Sequence, residues 1–132
     1  MASIFSRIVA GEIPCYKIAE TKDYLAFLDI SPLTLGHTLV IPKLEVDYLF
    51  DLENALYTGL QLFAKEVAIG IKLATGKRVG VCVIGLEVPH AHIHLIPFTH
   101  MGEMNFANPK LKLDQTEFKE IAAKIAAAIE GA

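Results

Sequence analysis

Residues 89–97 read Pro89-His90-Ala91-His92-Ile93-His94-Leu95-Ile96-Pro97, and this run holds three of the five histidines in the chain. Alternate side chains share one face of a strand. The pattern therefore predicts a strand over 91–97, with His90, His92 and His94 pointing one way at a spacing of roughly 6.6 Å. Ala91, Ile93 and Leu95 would point the other way, into a core. Pro89 suits the start of the strand, where no ladder hydrogen bond is asked of it. Chance is a poor account of three alternating histidines, and two chemistries use such a set. Zinc can be gathered by histidines of one strand face. Alternatively, one imidazole attacks phosphorus while its neighbours donate to phosphate oxygens and the leaving group. Histidine serves the second role because near neutral pH it is nucleophile, acid or donor. The run itself leaves both open.

Upstream of the run, residues 78–84 (Arg-Val-Gly-Val-Cys-Val-Ile) read as a strand, and residues 52–75 carry the strongest helical signal. Leu52, Leu56, Leu60, Phe63, Val67 and Ile71 recur at steps of three or four, which makes one apolar stripe. Asp51 is the expected cap at its start and Gly76 at its end. Gly59 and Gly70 share a face of this helix, a place for close approach of another backbone or simply two tolerated glycines. Residues 16–20 and 24–29 read as a strand pair joined at Thr21-Lys22-Asp23, and 37–42 as a third strand closed by Pro42. A short helix begins at Ser3 and covers 3–9. Beyond the run, 98–113 is irregular, and Asp114 with Glu117 forms a capping arrangement for a last helix over 115–129. The sum is an α+β domain: a five-stranded, mainly antiparallel sheet, one long central helix, and short N-terminal and C-terminal helices.

A chain of 132 residues suits one domain, 1–132, with a core large enough to need no staple. Hydrophobic residues make up 53% and the mean hydropathy is +0.43, high for a small monomer, so a partner subunit is expected to cover part of the surface. The net charge of -3 and the pI near 5.9 argue against a nucleic-acid footprint. Cys15 and Cys82 lack metal-type spacing and read as reduced thiols. No run approaches the length of a membrane span and no leader pattern opens the chain. A cytoplasmic protein without membrane contact is expected.

The histidine run resembles the motif of the histidine-triad (HIT) family. So do Phe27-Leu28-Asp29-Ile30-Ser31-Pro32, Gly36-His37-Thr38-Leu39-Val40-Ile41-Pro42-Lys43, and Ile4-Phe5 leading to Gly11-Glu12-Ile13-Pro14. The match runs in order and spacing over about 3–97. It implies a nucleotide-binding hydrolase, usually a homodimer, that cleaves at the α-phosphate of nucleotide conjugates and needs no cofactor. By resemblance, His92 is the nucleophile that forms a nucleotidyl-imidazole. His90 and His94 orient it and bind phosphate, and His37 completes the cluster. Asp29 accepts the ribose hydroxyls. Ile4, Phe5, Ile8, Leu28 and Ile30 form an apolar pocket for the purine base. Glu87 stands where relatives can offer a serine or threonine hydroxyl to the phosphate, and it faces either the site or solvent. No lysine or arginine lies between Val79 and Pro109, so protonated histidines and backbone N–H groups are expected to balance the phosphate charge.

The chain departs from the family at two places. Many bacterial relatives carry Cys-x-x-Cys where Ser3-Ile4-Phe5-Ser6 stands here, with a histidine shortly after the residues that match Pro42-Lys43. Serine is a poor zinc ligand, so no structural zinc is expected. Relatives also enter the triad through an asparagine and a glycine-rich loop, whereas this chain has the shorter Val83-Ile84-Gly85-Leu86-Glu87-Val88. Recognition of the departing half of the substrate is the expectation this puts at risk. The presence of His94 favours the hydrolase branch over the transferase branch.

Overall fold

The computed structural model describes residues 2–131. Helix α1 spans Ile4–Val9, and Ser3 caps it by accepting the Ser6 N–H at 3.0 Å. Strands β1 (Lys17–Glu20) and β2 (Tyr24–Leu28) form a hairpin, closed where Thr21 N–H reaches the Tyr24 carbonyl at 2.9 Å. Strand β3 (Thr38–Pro42) follows, then helix α2 (Asn54–Thr75), β4 (Arg78–Cys82), β5 (Ile93–Phe98) and helix α3 (Gln115–Gly131). The sheet order is β1-β2-β3-β5-β4, and every pairing is antiparallel. The fold class read from sequence is the one observed. The C-terminal helix, however, is long: 17 residues against 22 in α2.

Alternation along the strands divides the interior in two. Ala26, Leu28, Val40, Ile93 and Leu95 face α2 and α3, which bring Leu60, Phe63, Val67, Ile71, Ile121 and Ile125 to one large core. Leu25, Phe27, Leu39 and Ile41 face the other side, where α1 places Phe5 over them. The main cleft opens on this second side.

Several boundaries differ from the sequence reading. Helix α2 begins at Asn54, after a short 3-10 turn at Leu49–Asp51, and Glu53 precedes it without a side-chain cap. Leu49 and Leu52 are both buried in the large core, so they anchor the turn before the helix starts. At the far end, Gly76 takes a φ of 70° and its N–H closes on the Lys72 carbonyl at 2.8 Å, the left-handed stop expected of it. Asp114 and Glu117 cap α3 reciprocally, at 2.8 and 3.2 Å.

The strand bearing the histidines is the larger correction. Ladder pairing of β5 with β3 begins only at Ile93 opposite Val40, so His90 and His92 precede the strand. His90 N–H turns back to Val88 O at 2.8 Å and Ala91 N–H reaches Val46 O at 2.7 Å, which leaves neither free for a ladder. The in-and-out alternation nonetheless holds, with Ala91, Ile93 and Leu95 in the large core. The two helix glycines serve contacts within the chain. A Cβ on Gly59 would meet the Tyr24 hydroxyl, and one on Gly70 would press on Ile129 and on the Ile125 carbonyl of α3. They therefore give no support to a subunit contact. No helix among the described residues is long and apolar enough to cross a membrane.

Candidate active site

A cleft of about 490 Å³ opens on the α1 side of the sheet, and His92 and His94 stand in its lining. Hydrogen-bond partners fix the state of each histidine around it. Leu33 N–H donates to His37 Nδ1 at 3.0 Å, so that nitrogen must hold a lone pair and the proton sits on Nε2. His37 Nε2 then donates to His94 Nδ1 at 2.9 Å, which leaves the His94 proton on Nε2. Burial, reinforced by the neighbouring His94 and Lys110 charges, pulls His37 down to about 3. Burial, with the His92 charge behind it, takes His94 to about 4. Both rings are neutral at pH 7, so neither is the protonated group expected to balance phosphate charge.

His92 Nδ1 donates to the His90 carbonyl at 2.7 Å. In the neutral ring, the free lone pair is therefore on Nε2, as a nucleophile requires. The Phe5 ring meets His92 edge-on at 5.1 Å and holds its orientation. The cleft lining brings together Asp29, Ile30, Leu28, Ile4, Phe5, Ile8 and Glu87 with the two histidines, all residues singled out in the sequence. Asp29 Oδ1 accepts Ser31 N–H at 2.8 Å, and its Oδ2 lies 3.6 Å from His37 Nε2. Burial pushes the Asp29 carboxyl above the usual range; the His92 and Lys110 charges oppose this and Glu87 adds to it.

Two expected site residues stand behind the cleft rather than on it. His37 is buried behind His94. His90 is also fully buried, and both its ring nitrogens are taken: Nε2 donates to Pro42 O and Nδ1 accepts from Ser3 Oγ, each at 2.8 Å. It thus orients His92 through its carbonyl and offers no ring nitrogen to a phosphate. Sequence reasoning missed Phe106 and Lys110, which fold over from the irregular segment beyond β5 to line the cleft. No periodicity in 98–113 announces this; the sole clue is that Lys110 is the first base after the motif.

Two clusters bear on metal. Ser3, Ser6 and His90 meet, joined by Glu45. Here Glu45 Oε1 accepts Ser3 N–H and Ser6 Oγ–H, each at 2.6 Å, and Ser3 Oγ serves both Ser6 N–H and His90. No buried side-chain N or O among the described residues lacks a partner. A closed hydrogen-bond network with hydroxyl donors does not fit zinc. Asp29, His37 and His94 are close enough to share an ion. Yet His37 carries its proton on the very nitrogen that would bind, because a backbone N–H occupies the other. This donor set is poor for a metal as it stands.

Comparison with known proteins accords with this geometry. Residues 10–101 match the HIT domain, and the chain belongs to the HIT family. An uncharacterized HIT-like protein of Borreliella burgdorferi is 36% identical over 131 residues, covering 92% of this chain and 94% of its own. Adenosine 5'-monophosphoramidase HNT1 of Saccharomyces cerevisiae is 41% identical over 103 residues, 73% of this chain and 62% of the yeast protein. In three dimensions, a HIT-like protein from Bartonella henselae superposes with a TM-score of 0.84 at 29% identity, over 96% of this chain and 95% of that one.

Proposed function

We propose that this protein is a nucleotide hydrolase that cleaves at the α-phosphate of nucleoside phosphoramidates or related purine nucleotide conjugates. The observation that carries the reading is the 2.7 Å bond from His92 Nδ1 to the His90 carbonyl, which frees Nε2 beside an apolar cleft. In this reading the base lies among Ile4, Phe5, Ile8, Leu28 and Ile30, and Asp29 accepts the ribose hydroxyls. His92 Nε2 attacks phosphorus, the bond from phosphorus to the leaving amine breaks, and a nucleotidyl-imidazole forms. His94 is neutral, so its Nε2–H steadies an oxygen or the departing group by hydrogen bonding and is not itself given up. Water supplies the proton to the amine and the hydroxide that releases the nucleoside monophosphate, so one water is consumed overall. The phosphoramidase name of the yeast relative supports the substrate class.

Glu87 is exposed at the cleft lining. A carboxylate there attracts an amine-bearing leaving group and repels a polyphosphate tail. Phosphoramidates are therefore expected to be cleaved in preference to dinucleoside polyphosphates, with Glu87→Ser narrowing the ratio. Equal or faster polyphosphate cleavage by the wild type would remove this assignment. The founding experiment is to mix the protein with adenosine 5'-phosphoramidate, quench in acid-free denaturant, and look for a nucleotidyl adduct on His92 by mass spectrometry. A turning-over enzyme with no adduct at any time point contradicts the covalent route.

A second reading has one observation in its favour. Residues 83–86, Val-Ile-Gly-Leu, supply no side-chain donor to the phosphate side of the cleft, and Leu86 is 89% exposed. A nucleotide-binding protein with weak turnover, acting through a partner, would have such a loop. Release of product faster than about one per protein per minute in the founding experiment, an order-of-magnitude floor below ordinary enzymes, decides for the hydrolase.

The assembly is read as a homodimer. Strand β4 is an edge of the sheet and exposes Val81, while the adjoining α2 exposes Leu62, Ile69 and Leu73. An unpaired apolar edge of this kind asks for cover.

A further inference from the structure

A phosphate-binding cleft needs positive charge, and the cleft carries two carboxylates, Asp29 and Glu87, of the opposite sign. His37 and His94 are neutral. One lysine lines the cleft, Lys110. It belongs to a strap, residues 105–112, that lies outside the stretch matching the HIT domain.

The strap is built in place. Leu111 N–H donates to Pro32 O at 2.9 Å, tying it to the loop that follows Asp29. Asn108 Nδ2 reaches Gly102 O at 2.7 Å, and Ala107 N–H closes on Asn105 Oδ1 at 2.9 Å. Phe106 sets its ring edge-on against His94 at 4.8 Å and His37 at 6.1 Å. Lys110 Nζ rests on carbonyls of the strap itself, Phe106 O and Asn108 O. No carboxylate among the described residues lies within ion-pair distance of it. The ammonium is close enough to Asp29 and His37 for its charge to act on both.

We propose that Lys110 is the anion-binding residue of the cleft, exchanging a strap carbonyl for a non-bridging phosphate oxygen of the bound nucleotide. The inference rests on the nucleotide reading of the cleft given above. The exchange is favourable because a carbonyl dipole gives way to a full negative charge, which adds Coulomb attraction to the bond. A lysine on a flexible four-carbon stem can make the move without displacing Phe106 from His94.

The test uses two probes, AMP and its parent adenosine, titrated calorimetrically into wild-type protein, Lys110→Met and Lys110→Arg. Loss of one charge-assisted bond is expected to weaken AMP about tenfold in Lys110→Met. Adenosine, which lacks the phosphate, should bind all three alike. Lys110→Arg should recover most of the AMP affinity, and the wild type should lose affinity for AMP with added salt more steeply than Lys110→Met does. Unchanged AMP affinity in Lys110→Met, or an equal loss for adenosine, overturns the inference and leaves the nucleotide reading standing. A wild type that binds neither probe overturns both.

Discussion

At the scale of single residues, the site depends on which nitrogen of each ring holds a proton. His92 keeps a free Nε2 because its Nδ1 is spent on a carbonyl. His92→Gly is therefore expected to lower turnover by several orders of magnitude while AMP still binds, since the proposed base and ribose contacts lie elsewhere. Turnover near wild type in a preparation free of contaminating enzyme would end the assignment. The neutral histidines also make a stability prediction. A buried His held at about 3 or 4, as His37 and His94 are, binds fewer protons folded than unfolded. The unfolded chain is thus favoured as pH falls below the ordinary value near 6.5. Melting temperature should drop from pH 7 to pH 5, above the range where ordinary carboxylates titrate, and His94→Gln should show a shallower drop. A flat wild-type profile across that window contradicts the buried neutral state. Residue types were legible in the sequence here; ring tautomers were not, because Leu33, Pro42 and the His90 carbonyl reach the rings only in the folded chain.

Among the elements, the apolar stripe of α2 and the alternation of 91–95 were readable because burial imposes a period on sequence. The extent of β5 was not. A period of two places Ala91, Ile93 and Leu95 on the core side whether or not their backbone pairs with a neighbour, and His90 and His92 lie where it does not. Gly59 and Gly70 were visible as oddities, but their partners, Tyr24 and α3, are distant in sequence. Gly70 offers a direct check on the α2–α3 contact. A Cβ there would stand 3.2 Å from Ile129 N and 3.3 Å from Ile125 O, atoms of backbone that cannot swing aside. Overpacking of about 1–3 kcal/mol should outweigh the gain of about 1 kcal/mol from replacing a helical glycine. Gly70→Ala is expected to lower the denaturant midpoint with the slope unchanged; a raised midpoint would show that the helices part freely.

For the whole molecule, the open edge of β4 and the apolar face of α2 predict self-association. Sedimentation at micromolar protein should give about twice 14.4 kDa. Val81→Lys, placed on a residue 62% exposed in the single chain, should shift the equilibrium to monomer without unfolding it. A wild type that stays monomeric removes the homodimer. High hydropathy announced a covered face from the sequence but not which one, and the space beside Gly59 and Gly70 is filled from within the chain. Composition registers how much apolar surface must be hidden and says nothing of where. The same gap explains Lys110, whose place in the site depends on a strap with no periodic signature.

The order of strands has a consequence for synthesis. Strand β5 is the last to leave the ribosome, yet it lies between β3 and β4. Until it arrives, β3 has no partner on that side and β4 has none at all. The same late segment carries His92 and His94, so a chain terminated before it lacks the proposed nucleophile and its neighbour. Insertion of a final central strand closes contacts far apart in sequence, which makes folding slow and leaves the waiting edges open to other chains. Catalytic competence and completion of the sheet then arrive in one event, and recovered activity becomes a clock for folding itself.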